Sequence, residues 1–239
     1  MPPQPRTSFL RWVPDSMGLL VSTSLLVAAS SADPAHRDAI ALAVVFDTSG
    51  SMNQPIPTKP GSPPDSKVRI AQRAFGKVLD RLETFAQAPG ARPLLVGTYV
   101  FAGSEARTAH PLRPFNAAQL RHWLANLRPH GPTPLGAALF SAARDLLSAP
   151  AGSRHLLVLT DGANTMGPTP EKVLAQIAEA CTRKEVPIFT HVIALDIKPE
   201  VFSALKRMGA TLIGAIDETQ LNSQFDFILE EKILVEAPR

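Results

Sequence analysis

From Ile40 to Leu234 the chain alternates two hydrophobic periods, and that alternation limits its fold more than any other feature. Ile40–Asp47 (IALAVVFD) is almost wholly apolar and β-branched at its centre, the pattern of a strand buried on both faces. Ser66–Phe85 then repeats apolar residues at helical spacing through Val68, Ala71, Phe75, Val78, Leu82 and Phe85. Lys67, Arg73, Lys77 and Arg81 are expected on the opposite, solvated side. The same switch recurs along the chain. Strands are expected at Leu94–Gly103, His155–Gly162, Val186–Leu195 and Thr211–Ile216. Helices are expected at Gln119–Leu127, Leu135–Leu147, Glu171–Lys184, Pro199–Met208 and Gln220–Leu234. Thr108–Arg113 reads as a short antiparallel edge, and Thr169-Pro170 as a helix cap followed by proline at the first helical position. Buried strands separated by helices predict an α/β fold. It should be Rossmann-like and doubly wound, with a mostly parallel central sheet of about six strands and helices on both faces.

Composition supports one such core. Apolar residues make up 45% of the 239 and charged residues 19%. No repeat or linker divides the region after Ala39, so residues 33–239 are expected to form a single domain with its core at about 40–234. The net charge of +3 comes from scattered rather than clustered Lys and Arg, which excludes a nucleic-acid footprint. The single cysteine, Cys181, excludes an internal disulfide. It shares a helical stripe with Val173, Leu174 and Ile177 and is expected to be a small buried hydrophobe. His191 lies within an apolar strand and is expected to be a satisfied core residue.

The N-terminus stands apart. Arg6 and Arg11 precede the apolar run Gly18–Ala29 (GLLVSTSLLVAA) and then Ser30-Ser31-Ala32, the layout of an export signal cut after Ala32. Residues 1–32 are therefore expected to be a signal peptide. No later segment is long and apolar enough for a membrane helix, so no stable membrane span is expected after cleavage. The product would be periplasmic or secreted. The alternatives are a cytoplasmic chain, or one anchored by an uncleaved N-terminal segment.

Chemistry is expected where the strands end, because ligands of open α/β sheets sit beyond the carboxyl edge at the point of reversed strand order. Three oxygen-bearing pieces qualify. Asp47, Ser49 and Ser51 leave the first strand in AVVFDTSGSM (Ala43–Met52), and Asp161 ends HLLVLTDG (His155–Gly162). Thr133 lies in RPHGPTPLG (Arg128–Gly136), just before a helix. Alternation along DTSGS would send Asp47, Ser49 and Ser51 to one side. Each piece alone has a structural explanation: a common Asp-Gly turn, a helix cap, loop hydroxyls bonded to backbone. Their joint occurrence at one sheet edge does not follow from those explanations.

Here the chain resembles the von Willebrand factor A-type domain family, whose members carry a metal-ion-dependent adhesion site. DTSGS matches the family's DxSxS signature, GPTPLG presents its threonine, and LVLTDG presents its third-loop aspartate, all in the family's order. The resemblance covers about Ala39–Leu234. It implies a site for Mg²⁺, with Mn²⁺ as the alternative, formed by Asp47, Ser49, Ser51, Thr133 and Asp161. Two carboxylates and three neutral hydroxyls leave a dication electrophilic. The implied function is thus to bind a protein ligand that presents Asp or Glu to the metal, without catalysis. The alternative is an accessory subunit that docks on an intracellular ATPase, chelatase or enzyme maturation complex. Two departures stand out. The Pro-rich loop Asn53–Pro64 is long for the family and is expected to be either a stiff wall beside the site or a disordered tether. After Asp161, ANTMG lacks the acidic residue that many relatives carry.

Rival patterns fail. AVVFDTSGS is similar to the strand end of an acid protease, but Ser49 interrupts D-T-G, no second D-T-G exists to share a proton, and helices abound. A D-x-D phosphatase end fails because Ser49 replaces the second aspartate. No G-x-x-x-x-G-K-[ST] motif is present, which excludes a P-loop. A metal-assisted hydrolase would need a general base near the ion, and no His or Glu is expected to serve from the flanks of the three motifs.

Overall fold

Strand β1 (Ile40–Phe46) is buried along its whole length and splits its side chains between two cores. Ile40, Leu42, Val44 and Phe46 face one, and Ala41, Ala43 and Val45 face the other. This is the physical reason for the unbroken apolar run: both faces of the strand are covered. The computed structural model describes residues 38–59, 61–102 and 105–234. The expected export signal at residues 1–32 lies outside them.

Four further strands and an edge complete the main sheet: β4 (Leu94–Ala102), β5 (Glu105–Pro114), β6 (Ser153–Thr160), β7 (Phe189–Leu195) and β8 (Thr211–Ala215). Their order is β5-β4-β1-β6-β7-β8. All neighbours are parallel except β5, which folds back antiparallel on β4. The protein has the mixed, mostly parallel α/β fold expected from the alternating periods. Because the chain builds outward from β1 to one edge and then to the other, the strand order reverses at the carboxyl end of β1. Ligand sites of open sheets lie at such a reversal.

Helices α1 (Lys67–Gln87), α2 (Ala117–Ala125) and α6 (Glu218–Ile228) cover one face. There Phe75 of α1 meets Phe46 edge to face at a centroid distance of 6.0 Å, and Trp123 meets Phe46 at 5.9 Å. On the other face lie α3 (Leu135–Ser148), α4 (Pro170–Lys184) and the short α5 (Ser203–Arg207). Ala138, Ala142 and Ala143 of α3 share that core with Ala41 and Ala43 of β1. Small side chains on both partners let the helix lie close to the sheet. Thr169 caps α4, accepting from the Lys172 N–H, and Pro170 follows as expected. The last expected helix ends as α6 and continues in a π-turn, Leu229–Ile233.

The segment Asn53–Pro64, expected as a proline-rich wall or tether, supplies most of a small antiparallel ribbon, β2 (Pro55–Pro57) paired with β3 (Pro64–Ser66), which runs two residues beyond it. Two isolated strands leave outward-facing edges, and proline's missing N–H is harmless there. Ile56 anchors the ribbon in the core at 3% exposure. Arg73 of α1 pins its other strand through Asp65 at 2.7 Å, while pairing with Glu218 of α6. Arg73 holds the Asp65 carboxyl below the usual carboxylate range.

Candidate functional site

The loop after β1 is built around Asp47, which is fully buried. Its backbone N–H extends the ladder to the Leu159 carbonyl of β6 at 2.9 Å. Its carboxylate is held at both oxygens: Oδ1 accepts from the Ser49 N–H at 2.8 Å and Oδ2 from the Thr160 hydroxyl at 2.6 Å. Burial pushes the Asp47 carboxyl above its ordinary value, and the hydrogen bonds from Ser49 and Thr160 work against that rise. Thr48 turns the other way, and its hydroxyl pairs with the Phe101 backbone of β4 at 3.1 Å. The loop is thereby pinned to the strands on both sides of β1.

Ser51 arrives differently from the sequence expectation. Simple alternation holds as far as Ser49, whose backbone is extended. Residues Gly50–Asn53 then form a 3₁₀ turn. In an extended chain, side chains two residues apart stand about 7 Å from each other. The turn instead brings Ser51 Oγ to 3.0 Å from Ser49 Oγ. Ser51 donates its proton to Asp161 Oδ1 at 2.8 Å, so Ser49 is the donor between the two hydroxyls.

Asp161 directly follows β6 and is buried. Thr133, 4% exposed, lies beside it: a Cβ added at Gly162 would stand 3.7 Å from Thr133 Oγ1. Main-chain bonds fasten the three loops together. The Gly50 N–H donates to the Gly131 carbonyl at 3.0 Å and the His130 N–H to the Thr48 carbonyl at 2.8 Å. The Thr165 N–H donates to the Thr133 carbonyl at 3.0 Å, and the Thr133 N–H to Thr165 Oγ1 at 2.9 Å. Asn164 Oδ1 accepts from the Gly136 N–H at 3.0 Å, satisfying one of the orphan donors that open α3. Gly136 must be glycine: a Cβ there would lie 2.0 Å from the Pro168 carbonyl oxygen.

The five residues singled out in the sequence thus lie on three loops at one end of the sheet. The same geometry adds residues that the motifs did not mark. Thr160 orients Asp47. Lys67, expected on the solvated side of α1, is buried at 3% exposure, and its ammonium sits 3.0 Å from Asp161 Oδ2 and 3.0 Å from Asp196 Oδ2. Burial disfavours that charge, but hydrogen bonds to Asp196 and Asp161 outweigh it and hold the lysine pKa above its ordinary value. A signal existed: Lys67 is in helical phase with buried Ala71, Ala74 and Val78. Asp196 follows β7 with a left-handed backbone at φ 53°. His130, three residues before Thr133, also corrects the expectation that no histidine flanks the motifs. Its exposed ring is turned to the Arg128 carbonyl through Nδ1 at 2.9 Å. A cleft of about 260 Å³ opens beside Thr48 and is lined in part by Arg107, Arg128 and His130.

Two further expectations change. Cys181 is half-buried rather than enclosed. His191 is buried, and its Nε2 stands 3.3 Å from His155 Nδ1, but among the described residues its Nδ1 has no hydrogen-bond partner.

Residues 41–223 match the von Willebrand factor type A domain. The chain belongs to that family. Among solved structures, the D319A mutant of the PilB minor pilin from Streptococcus sanguinis superposes with a TM-score of 0.62 at 19% identity, covering 81% of this chain and 60% of that one. The vWF domain of the type V pili tip protein Mfa5 from Porphyromonas gingivalis gives 0.61 at 11% identity, covering 80% and 93%. Proximal thread matrix protein 1 from the mussel byssus, with a zinc-occupied MIDAS motif, gives 0.56 at 15% identity, covering 79% and 46%. The A-type domain found here therefore spans about three fifths of that pilin and under half of the byssus protein. No curated protein matches the chain.

Proposed function

We propose that the A-type domain binds a divalent cation, Mg²⁺ or Mn²⁺, through Asp47, Ser49, Ser51, Thr133 and Asp161, and uses it to capture an acidic side chain of a protein partner. The observation that carries this reading is the spacing of the donors. Octahedral Mg²⁺ with bonds of about 2.1 Å sets neighbouring ligand oxygens about 3.0 Å apart. Ser49 Oγ and Ser51 Oγ stand 3.0 Å apart, and Ser51 Oγ and Asp161 Oδ1 stand 2.8 Å apart.

The donor chemistry fits the same ion. Hydroxyls and carboxylates, the donors gathered here, suit a hard cation. Asp47, with both oxygens already engaged by protein donors, is suited to hold its carboxylate in a fixed orientation. When bound, the ion supplies an electrophilic position for an incoming carboxylate. Arg107, Arg128 and His130 beside Thr48 form a basic wall that favours an acidic visitor. The pilus proteins and the metal-occupied byssus protein that share the fold support an adhesion role over catalysis. An extracellular location accords with the pilin-like relatives. No helix among the described residues is long and apolar enough to cross a membrane.

The test is isothermal titration with Mg²⁺ and Mn²⁺, followed by a pull-down with and without chelator read by mass spectrometry. Asp47→Ala should abolish ion binding and ion-dependent capture while the circular dichroism spectrum is retained. Capture that persists in excess chelator would refute metal-dependent adhesion.

A further inference from the structure

Lys67 stands at the first position of α1, where the helix dipole disfavours a cation, and its side chain is 4% exposed. Buried lysines persist when their charge is paired, and this one is paired twice. Its ammonium bridges Asp161 Oδ2 and Asp196 Oδ2, each at 3.0 Å, with Gln54 Oε1 at 3.5 Å. Ser51 holds the other oxygen of the same Asp161 carboxylate. One carboxylate therefore serves the hydroxyl cluster through Oδ1 and a fixed positive charge through Oδ2.

We infer that Lys67 is a built-in counter-cation that weakens the affinity of the candidate site for its divalent ion, and that Asp196 relieves this opposition by drawing the ammonium away from Asp161. The inference rests on the metal-binding reading above. Without an ion, Lys67 neutralises Asp161 and keeps the loops assembled, so the cluster is preorganised. With an ion, an ammonium and a dication share one carboxylate, and their repulsion in a buried setting lowers affinity. Asp196 offers the ammonium a second carboxylate beyond the cluster. The ion is then held loosely and carries more residual positive charge, which suits a site completed by an external carboxylate. Lys67 is thus a positioning and tuning residue rather than an ion ligand.

Two substitutions separate this role from mere support. Lys67→Gln keeps hydrogen-bonding capacity and removes the charge. It should tighten Mg²⁺ binding by about tenfold in calorimetry and enlarge the rise in melting temperature on adding Mg²⁺. Asp196→Asn keeps a residue type that tolerates the left-handed backbone at φ 53°. It leaves Lys67 to Asp161 alone and should weaken Mg²⁺ binding several-fold. A merely structural lysine gives no such opposite pair of shifts. Unchanged or weaker binding in folded Lys67→Gln overturns the tuning role while native binding leaves the metal reading intact. Should Lys67→Gln fail to fold, the Asp196→Asn affinity decides, and equal or tighter binding there overturns the proposal. Absence of Mg²⁺ and Mn²⁺ binding in the native chain and in both variants removes the metal reading and this inference together.

Discussion

Acidification from pH 8 to pH 5 is expected to weaken the fold by about 4 kcal/mol through two histidines remote from the strand ends that form the site. His155 of β6 and His191 of β7 are buried side by side, their rings stacked at 5.6 Å with an interplanar angle of 16°. Burial pushes His155 down to about 3, helped by the neighbouring His191 and Arg92. Burial likewise pushes His191 down to about 4, helped by Lys232. Both rings are therefore neutral in the fold. The unfolded chain binds protons on each ring below an ordinary value of about 6.5. Their neutrality costs nothing above pH 6.5. Stability then falls with the pH until the folded values near 4 and 3 are reached. At pH 5 the gap to 6.5 is about 1.5 units, or about 2 kcal/mol per ring at 1.36 kcal/mol per unit.

Urea unfolding of metal-free protein at pH 8, 7, 6 and 5 reads this directly. With a slope of about 2 kcal/mol per molar, the midpoint should drop by about 2 M across the series. The double variant His155→Leu, His191→Leu should show a much flatter profile. Asp47, whose carboxyl is raised by burial, titrates in the opposite sense in both proteins and cancels in the comparison. A native midpoint constant to within 0.3 M, or a double variant as steep as the native chain, would refute the reasoning.

Ile56→Ala should lower stability by about 2–3 kcal/mol in urea unfolding, because Ile56 is the ribbon's buried anchor; a loss under about 0.5 kcal/mol would mean that the ribbon is not docked. Gly136→Ala should cost about 1–3 kcal/mol and reduce Mg²⁺ affinity, since its Cβ meets the Pro168 carbonyl oxygen and displaces the opening turn of α3 that follows Thr133; an unchanged melting temperature contradicts that packing. Tyr99→Phe should cost about 1–3 kcal/mol by removing the 2.8 Å hydrogen bond from the buried phenol to Asp145, read by thermal melting, and equal stability would discount that bond. Thr133→Ala should weaken Mg²⁺ binding in calorimetry with little change in the melting temperature measured in chelator. A retained affinity removes Thr133 from the site.

The architecture was legible because burial on both faces leaves a plain mark: IALAVVF cannot be an amphipathic element, and α1 repeats its apolar residues at 3.6. The gathering of Asp47, Ser49, Ser51, Thr133 and Asp161 at one edge was legible from strand ends and motif order. What escaped depended on contacts that periodicity does not encode. Lysine counts as polar in any pattern, yet the long stem of Lys67 carries its charge into the interior to meet Asp161 and Asp196. The ribbon at Pro55–Pro57 and Pro64–Ser66 is hidden by prolines, which weaken a strand signal without forbidding an edge. His191 looked satisfied within its strand because sequence shows a neighbour's period, not whether both ring nitrogens find partners.

The main-chain ties between Gly50 and Gly131, Thr48 and His130, and Thr133 and Thr165 have a practical consequence. Most of these bonds run from peptide to peptide, so they survive exchange of the side chains they bring together. The end of the sheet is therefore a workbench: cysteine or alanine, which stay close to the native side-chain size, can be installed at positions 49, 51 or 133 with these ties kept. Shifts in cation preference among such variants then report the chemistry of the installed atom.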